Sequence, residues 1–208
     1  LPIDKVIPSV AAQPALLRTD RLIGYFMWEL ETVPKEFHRA LELVDEIWTA
    51  TEFVANAFRQ VTETPVYVTG HAVEVTVVEE VARSEFALAE DTFVVYYAFD
   101  ANSTVARKNP IAAVRAFQTA FYRDPSAVLL LKVRNFGQLE SLARRGDPHA
   151  RDLMWQFSND PRLVVLTEES TYCRALGLIQ MADCVLSTHR SEGYGYLLTE
   201  SLLLGTPV

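Results

Sequence analysis

Four segments in the second half of the chain are apolar at consecutive rather than alternate positions: 93–99, 127–131, 163–166 and 184–186. They are rich in Val, Leu, Tyr and Phe. Such runs predict strands covered on both faces, as in a parallel sheet. Helical spacing lies between them. Ile111, Val114, Phe117 and Phe121 share one helical face, with Asn109 predicted as N-cap and Pro110 as first helical residue. Leu153, Trp155 and Phe157 mark a weaker helix, residues 172–181 another, and 197–204 a last one ended by Gly205 and Pro207. Strand–helix alternation of this kind predicts a doubly wound α/β sheet.

The first seventy residues keep the same rhythm in shorter pieces. Strands are predicted at 22–28, 46–49 and 66–68, and helices at 36–43 and 54–61. Three short strands are little for an independent open sheet, so this part reads as the second half of a domain. Charge divides the chain further. Residues 1–70 carry six Lys/Arg and ten Asp/Glu, 71–90 one Arg and five Glu, and 91–208 twelve of each sign. The acidic middle stretch reads as a connection. The expected organisation is therefore residues 1–72 as part of one α/β domain, 73–91 as the connection, and 92–208 as a second domain.

Composition excludes several classes. Of 208 residues, 50% are hydrophobic and 22% charged, which is ordinary for a globular chain. A net charge of −8 argues against a duplex-binding protein. Cys173 and Cys184 fit neither a disulfide framework nor a paired-Cys zinc motif, and read as buried thiols in a reducing cytoplasm. No stretch has the apolar length of a membrane span. The chain lacks an initiator Met and stops just after a helix, so it reads as a fragment.

In open α/β sheets ligands bind beyond the carboxyl ends of strands. Two loops there carry candidate chemistry. The first, 100–110, brings Arg107 and Lys108 up to a helix start, where backbone amides already favour anions. A solvated basic pair is the plainer reading. The second, 187–200, holds Gly193 and Gly195, which let backbone approach a ligand, framed by Glu192 and Glu200. Carboxylates accept from sugar or ribose hydroxyls; alternatively Glu192 complements a helix dipole and Glu200 is a surface residue. His38, His71 and His149 have no metal-ligand spacing and there is no Asp-x-Asp, so no metal is expected. His189 either bonds a ligand or orders its loop. Ser187 and Ser191 have no defensible base partner.

Glu192-x7-Glu200 around Gly-Tyr-Gly, preceded by 182–187 (ADCVLS) and followed by Leu-Gly205-Thr-Pro207, resembles the donor-site signature of group 1 (family 4) retaining glycosyltransferases. Arg107-Lys108-Asn109-Pro110 is similar to that family's phosphate-binding segment. Residues 28–30, 45–48 and 53–54 resemble the end of its acceptor-side domain. The resemblance implies a GT-B architecture of two Rossmann-like, doubly wound parallel-sheet domains, here lacking the start of the N-terminal domain and the end of the C-terminal one. It implies a nucleoside-diphosphate sugar as donor substrate, no other cofactor, and a saccharide or lipid-linked acceptor. A cytoplasmic location follows, with peripheral association at the inner membrane face left open.

By that resemblance Lys108 and Arg107 neutralise the diphosphate and Glu192 meets the transferred sugar. The rest of the implied donor set is Asn102, Ser103, His189, Arg190, Gly193, Tyr194, Gly195 and Glu200, the last on the ribose. Trp28 and Glu29 would face the acceptor. One departure stands out: relatives carry an Arg about six residues before the Lys, where this chain has Asn102. Either Arg107 substitutes or the subfamily uses another anchor. A non-catalytic nucleotide-sugar-binding subunit is the alternative reading.

Overall fold

The computed structural model describes residues 3–208, which form two compact units. The first comprises residues up to 72 together with 191–195; the second comprises 73–190 and 196–208.

In the first unit, α1 (Ile3–Ala12) precedes three strands, β1 (Ile23–Tyr25), β2 (Glu46–Thr49) and β3 (Val66–Val68). Between them lie α2 (Lys35–Glu42) and α3 (Glu52–Arg59). The strands pair in parallel in the order β1-β2-β3. Ile47, Leu41, Val54 and Phe58 are fully buried and hold the sheet to its helices. Thr51 caps α3, its hydroxyl accepting from Val54 N at 3.3 Å. The strand predicted at 22–28 is shorter than expected. Phe26 N still donates to Trp48 O, but beyond it the chain leaves the ladder.

The second unit contains β4 (Phe93–Asp100), α4 (Val105–Lys108), α5 (Pro110–Ala120), β5 (Ala127–Arg134), α6 (Phe136–Arg144) and α7 (Pro148–Asn159). These are followed by β6 (Leu163–Leu166), α8 (Tyr172–Met181), β7 (Cys184–Val185) and α9 (Tyr196–Leu204). All pairings are parallel, in the order β6-β5-β4-β7. Side chains alternate between the two faces. Val95, Tyr97 and Phe99 of β4, with Leu129 and Leu131 of β5, enter the core shared with α5 and α7. Val94, Tyr96, Val128 and Leu130 enter the opposite core with Leu176 and Ile179 of α8. Continuous apolar strands follow from having both faces covered.

Residues 73–90 close the second core. Val81 is buried in it, and Phe86 and Leu88 pack against it. Glu79 N donates to Cys173 O at 3.1 Å, and Arg174 bridges Glu79 at 2.9 Å and Glu85 at 2.7 Å. The segment passes so near α8 that a Cβ on Gly177 would lie 2.1 Å from Glu79 O. The acidic stretch is thus a strap on the second unit. Helix α6 was not predicted, although Phe136, Leu139 and Ala143 have helical spacing and Leu139 is fully buried. Cys173 and Cys184 are half-buried thiols rather than fully buried ones.

Candidate functional site

The strand order fixes where a ligand can enter the second unit. From β4 the chain steps through β5 to β6 on one side, then returns to lay β7 on the other side of β4. The loops after β4 and β7 therefore leave the carboxyl edge side by side at the topological switch point, the crevice where open α/β sheets bind ligands.

Asp100 organises the first loop. Its carboxylate accepts from Asn102 N at 2.8 Å and from Asn135 Nδ2 at 2.7 Å, and its carbonyl accepts from Ser103 N at 3.0 Å. Arg107 and Lys108 form the last turn of α4, anchored by buried Val105. Asn109 then joins α4 to α5 at φ 54°, in the left-handed region that asparagine tolerates. Its side chain makes no capping bond to α5, contrary to expectation. Instead Nδ2 donates to Thr188 O at 3.2 Å.

That bond is one of several lacing the two loops. Thr188 Oγ1 donates to Asn109 O at 2.9 Å, Arg190 N to Arg107 O at 2.9 Å, and Arg190 Nε to Ala106 O at 3.0 Å. The His189 ring lies 5.4 Å from that of Tyr97, edge to face, and the Tyr97 hydroxyl donates to Lys108 O. Two loops nearly 80 positions apart in sequence are thereby held as one surface.

Residues 191–195 pack within the first unit. Thr51 Oγ1 donates to Gly193 O at 3.2 Å, and Tyr194 Oη donates to His71 O at 3.1 Å. A Cβ on Gly193 would sit 3.2 Å from Trp28 O and 3.4 Å from Trp28 N. The close approach at this glycine is thus to protein backbone. Gly195 adopts φ 90°, where glycine is unstrained. Glu192, half-buried, belongs to this segment. Trp28 packs edge-on to Phe37 with centroids 5.5 Å apart and donates from Nε1 to Thr32 O at 3.0 Å; Glu29, beside it, is half-buried.

A cleft of about 450 Å³ opens at the carboxyl edge of the second sheet. Asp100 of β4, Lys132 and Arg134 of β5, Glu169 after β6, Tyr172 of α8 and Glu200 of α9 line it. Glu200 is half-buried, and burial raises its carboxyl pKa while a 3.0 Å bond from Tyr172 Oη partly offsets that rise. Burial likewise lowers the Lys132 ammonium pKa. Its Nζ donates to Glu168 O. Lys132 and Arg134 lie beyond the strand end predicted at 131, and Tyr172 opens a predicted helix with no polar pattern to single it out. A cation closing an apolar strand was the available signal, since that is the end where ligands bind. Among the described residues no group of three or more His, Cys, Asp or Glu is placed to hold a metal ion. Among them, too, no helix is long and apolar enough to cross a membrane.

No family model matches the chain, and neither does any curated protein sequence. Solved structures do. The apo structure of OtsA superposes with a TM-score of 0.57 at 13% identity, over 89% of this chain and 50% of that one. TarM gives 0.60 at 12% identity, over 88% and 35%. The pneumococcal O-GlcNAc transferase GtfA, in complex with UDP and GlcNAc, gives 0.52 at 14%, over 88% and 36%. The likeness is one of fold: two Rossmann-like parallel-sheet units of the GT-B type. The chain spans half or less of the length of these three structures.

Proposed function

We propose that this chain is the nucleotide-sugar-handling part of a GT-B glycosyltransferase that moves a sugar to an acceptor hydroxyl with retention at the anomeric carbon. The observation that carries the reading is the lacing of the Arg107–Asn109 loop to Thr188 and Arg190 at the switch point, in the same unit as the Glu200 cleft. Sequence resemblance singles out the same two loops on other grounds, and GtfA, similar in fold, is described with UDP bound.

In this proposal Lys108 and Arg107 neutralise the leaving diphosphate. Fixed cations and amides favour the charge that develops there as the sugar becomes oxocarbenium-like. Asn102, Ser103, His189 and Arg190 contribute polar contacts to the donor, together with the amides of the 193–195 turn. Glu192 meets the transferred sugar, and Glu200 accepts from the ribose diol. Trp28 and Glu29 belong to the acceptor side, and the acceptor is a saccharide or a lipid-linked glycan, in polysaccharide or cell-envelope synthesis. No metal is assigned a role.

Calorimetry with UDP, GDP, ADP and dTDP, in EDTA and then in magnesium, tests the proposal. At least one should bind without metal. Glu200→Ala should weaken that nucleotide by about ten- to a hundredfold, the worth of a charge-assisted hydrogen bond. Absence of binding to all four would overturn the reading.

A further inference from the structure

We propose that Tyr172 is a positioning residue which holds the Glu200 carboxylate in the orientation that accepts a vicinal diol. The inference deepens the proposed function and rests on it: Glu200 must be the group that meets the nucleotide's ribose.

The geometry joins two helices. Tyr172 is the first residue of α8, and Thr171 caps that helix, its hydroxyl accepting from Arg174 N at 3.1 Å. The start of α8 is therefore fixed. From there the Tyr172 ring reaches across to α9, where Oη donates to Glu200 Oε1 at 3.0 Å. The α9 backbone is fixed independently. Ser201, fully buried, donates to Leu197 O at 2.6 Å, and Thr206 Oγ1 donates to Ile179 O at 3.0 Å, tying the segment after α9 to α8.

What this scaffold leaves undecided is the glutamate side chain itself. Glutamate has three rotatable bonds and loses much rotamer entropy when ordered. A carboxylate pinned at Oε1 by a phenol has already lost that entropy before a ligand arrives, so Oε2 and the remaining lone pairs are presented to the cleft in one geometry. The position of Tyr172 argues against a packing role. Its side chain is 52% exposed although it lines the cleft, so little apolar burial recommends an aromatic there. A hydroxyl at that distance from Glu200 is what a tyrosine adds over a phenylalanine.

The test uses the 208-residue chain and three ligand pairs: UDP, GDP and ADP, each with its 2′,3′-dideoxy counterpart. The diphosphate that binds the wild type most tightly is carried forward with its partner. Tyr172→Phe should weaken the ribose form by roughly three- to tenfold, the worth of a hydrogen bond to a charged group once partial exposure is allowed for. It should leave the dideoxy form within about twofold of wild type, because that ligand makes no use of Glu200. In Glu200→Ala, adding Tyr172→Phe should cause no further loss, since coupled residues are non-additive. Equal weakening of both ligand forms by Tyr172→Phe would assign Tyr172 a direct or structural role and overturn the inference. So would an unchanged ribose affinity. Failure of these three diphosphates to bind the wild type would overturn the inference, and failure of dTDP as well would bring down the proposed function itself.

Discussion

The two ends of the second sheet carry the same kinds of charge in opposite states. At the amino end, Arg162 stands just before β6 with all three guanidinium nitrogens bonded. Nε and Nη2 donate to the two Asp160 oxygens at 3.0 and 2.8 Å, and Nη1 donates to Phe121 O at 2.5 Å and Asp124 O at 3.3 Å. The cation also lies over the Phe117 ring, 5.3 Å from its centroid. Asp160 accepts from Gln118 Nε2 at 3.1 Å as well, and the Arg162 bond holds its carboxyl pKa at about 2. At the carboxyl end, Lys132 and Glu200 line a cleft, and burial works against the charge of each. Arg162 is met by a countercharge, whereas Lys132 and Glu200 meet only neutral hydrogen-bond partners, the Glu168 carbonyl and the Tyr172 hydroxyl, and bear a desolvation cost.

Removing the Arg162 cation should break the contrast most visibly. Arg162→Ala takes the cation from a carboxylate whose side chain is 12% exposed and from two carbonyls, leaving the Asp160 carboxylate only the Gln118 amide and the backbone N–H of residue 162. It should lower stability by about 3 kcal/mol in urea melts and leave nucleotide affinity unchanged. A wild-type midpoint would remove the distinction between the two ends.

Acid should then separate them by sign. Asp160 has a folded pKa below its ordinary 3.8, so its contribution is complete above that value and is lost as pH falls toward about 2. With solvent screening allowed for, that contribution is about 1 kcal/mol, and Asp160→Asn should flatten the loss between those limits. Glu200 has a folded pKa above its ordinary 4.5, so it favours the folded state in acid, and that advantage fades as pH rises through the folded value.

The smallest effect follows from the same shift. At pH 7 Glu200→Gln should raise stability slightly, judged from thermal melts, even as it weakens nucleotide binding. A destabilised Gln variant would place Glu200 among the structural charges.

Much of this was legible in the sequence. Strands β2, β3 and β6 and helix α8 fall where their patterns put them, because period and length were unambiguous there. The two loops at the carboxyl ends of β4 and β7 could be chosen from sequence because each follows a buried strand. What the sequence did not disclose were the contacts made with neighbours distant along the chain. Asn109 does stand at the N-cap of α5 with Pro110 next, but its side chain makes no capping bond and its Nδ2 donates to Thr188 O, 79 residues later. The acidic stretch looked like a connection because its valines were weaker signals than its glutamates, yet Arg174 gathers two of those glutamates and lets the valines pack. Gly193 looked like a ligand glycine, and only the fold brings the Trp28 backbone beside it.

The strand register also sets how the second sheet comes apart. β4 and β5 are joined along eight residue pairs, whereas β4 and β7 share two, Val95↔Cys184 and Tyr96↔Val185. Arg83 and Val94 N both hold Asp183 at one end of that short seam, and Leu186 N donates to Tyr96 O at 2.9 Å at the other. Opening free energies in a folded protein vary from segment to segment, and they are lowest where the ladder is shortest. The β7 seam is therefore where amide protons should exchange earliest within this sheet. When it opens, the 187–190 loop stays tied to residues 106–109 through Thr188 and Arg190, and β4, β5 and β6 stay paired. A ligand resting on the 187–190 loop would hold the seam closed, so its arrival would be felt as slower exchange at Asp183 and Leu186, whose N–H groups donate to Val94 O and Tyr96 O.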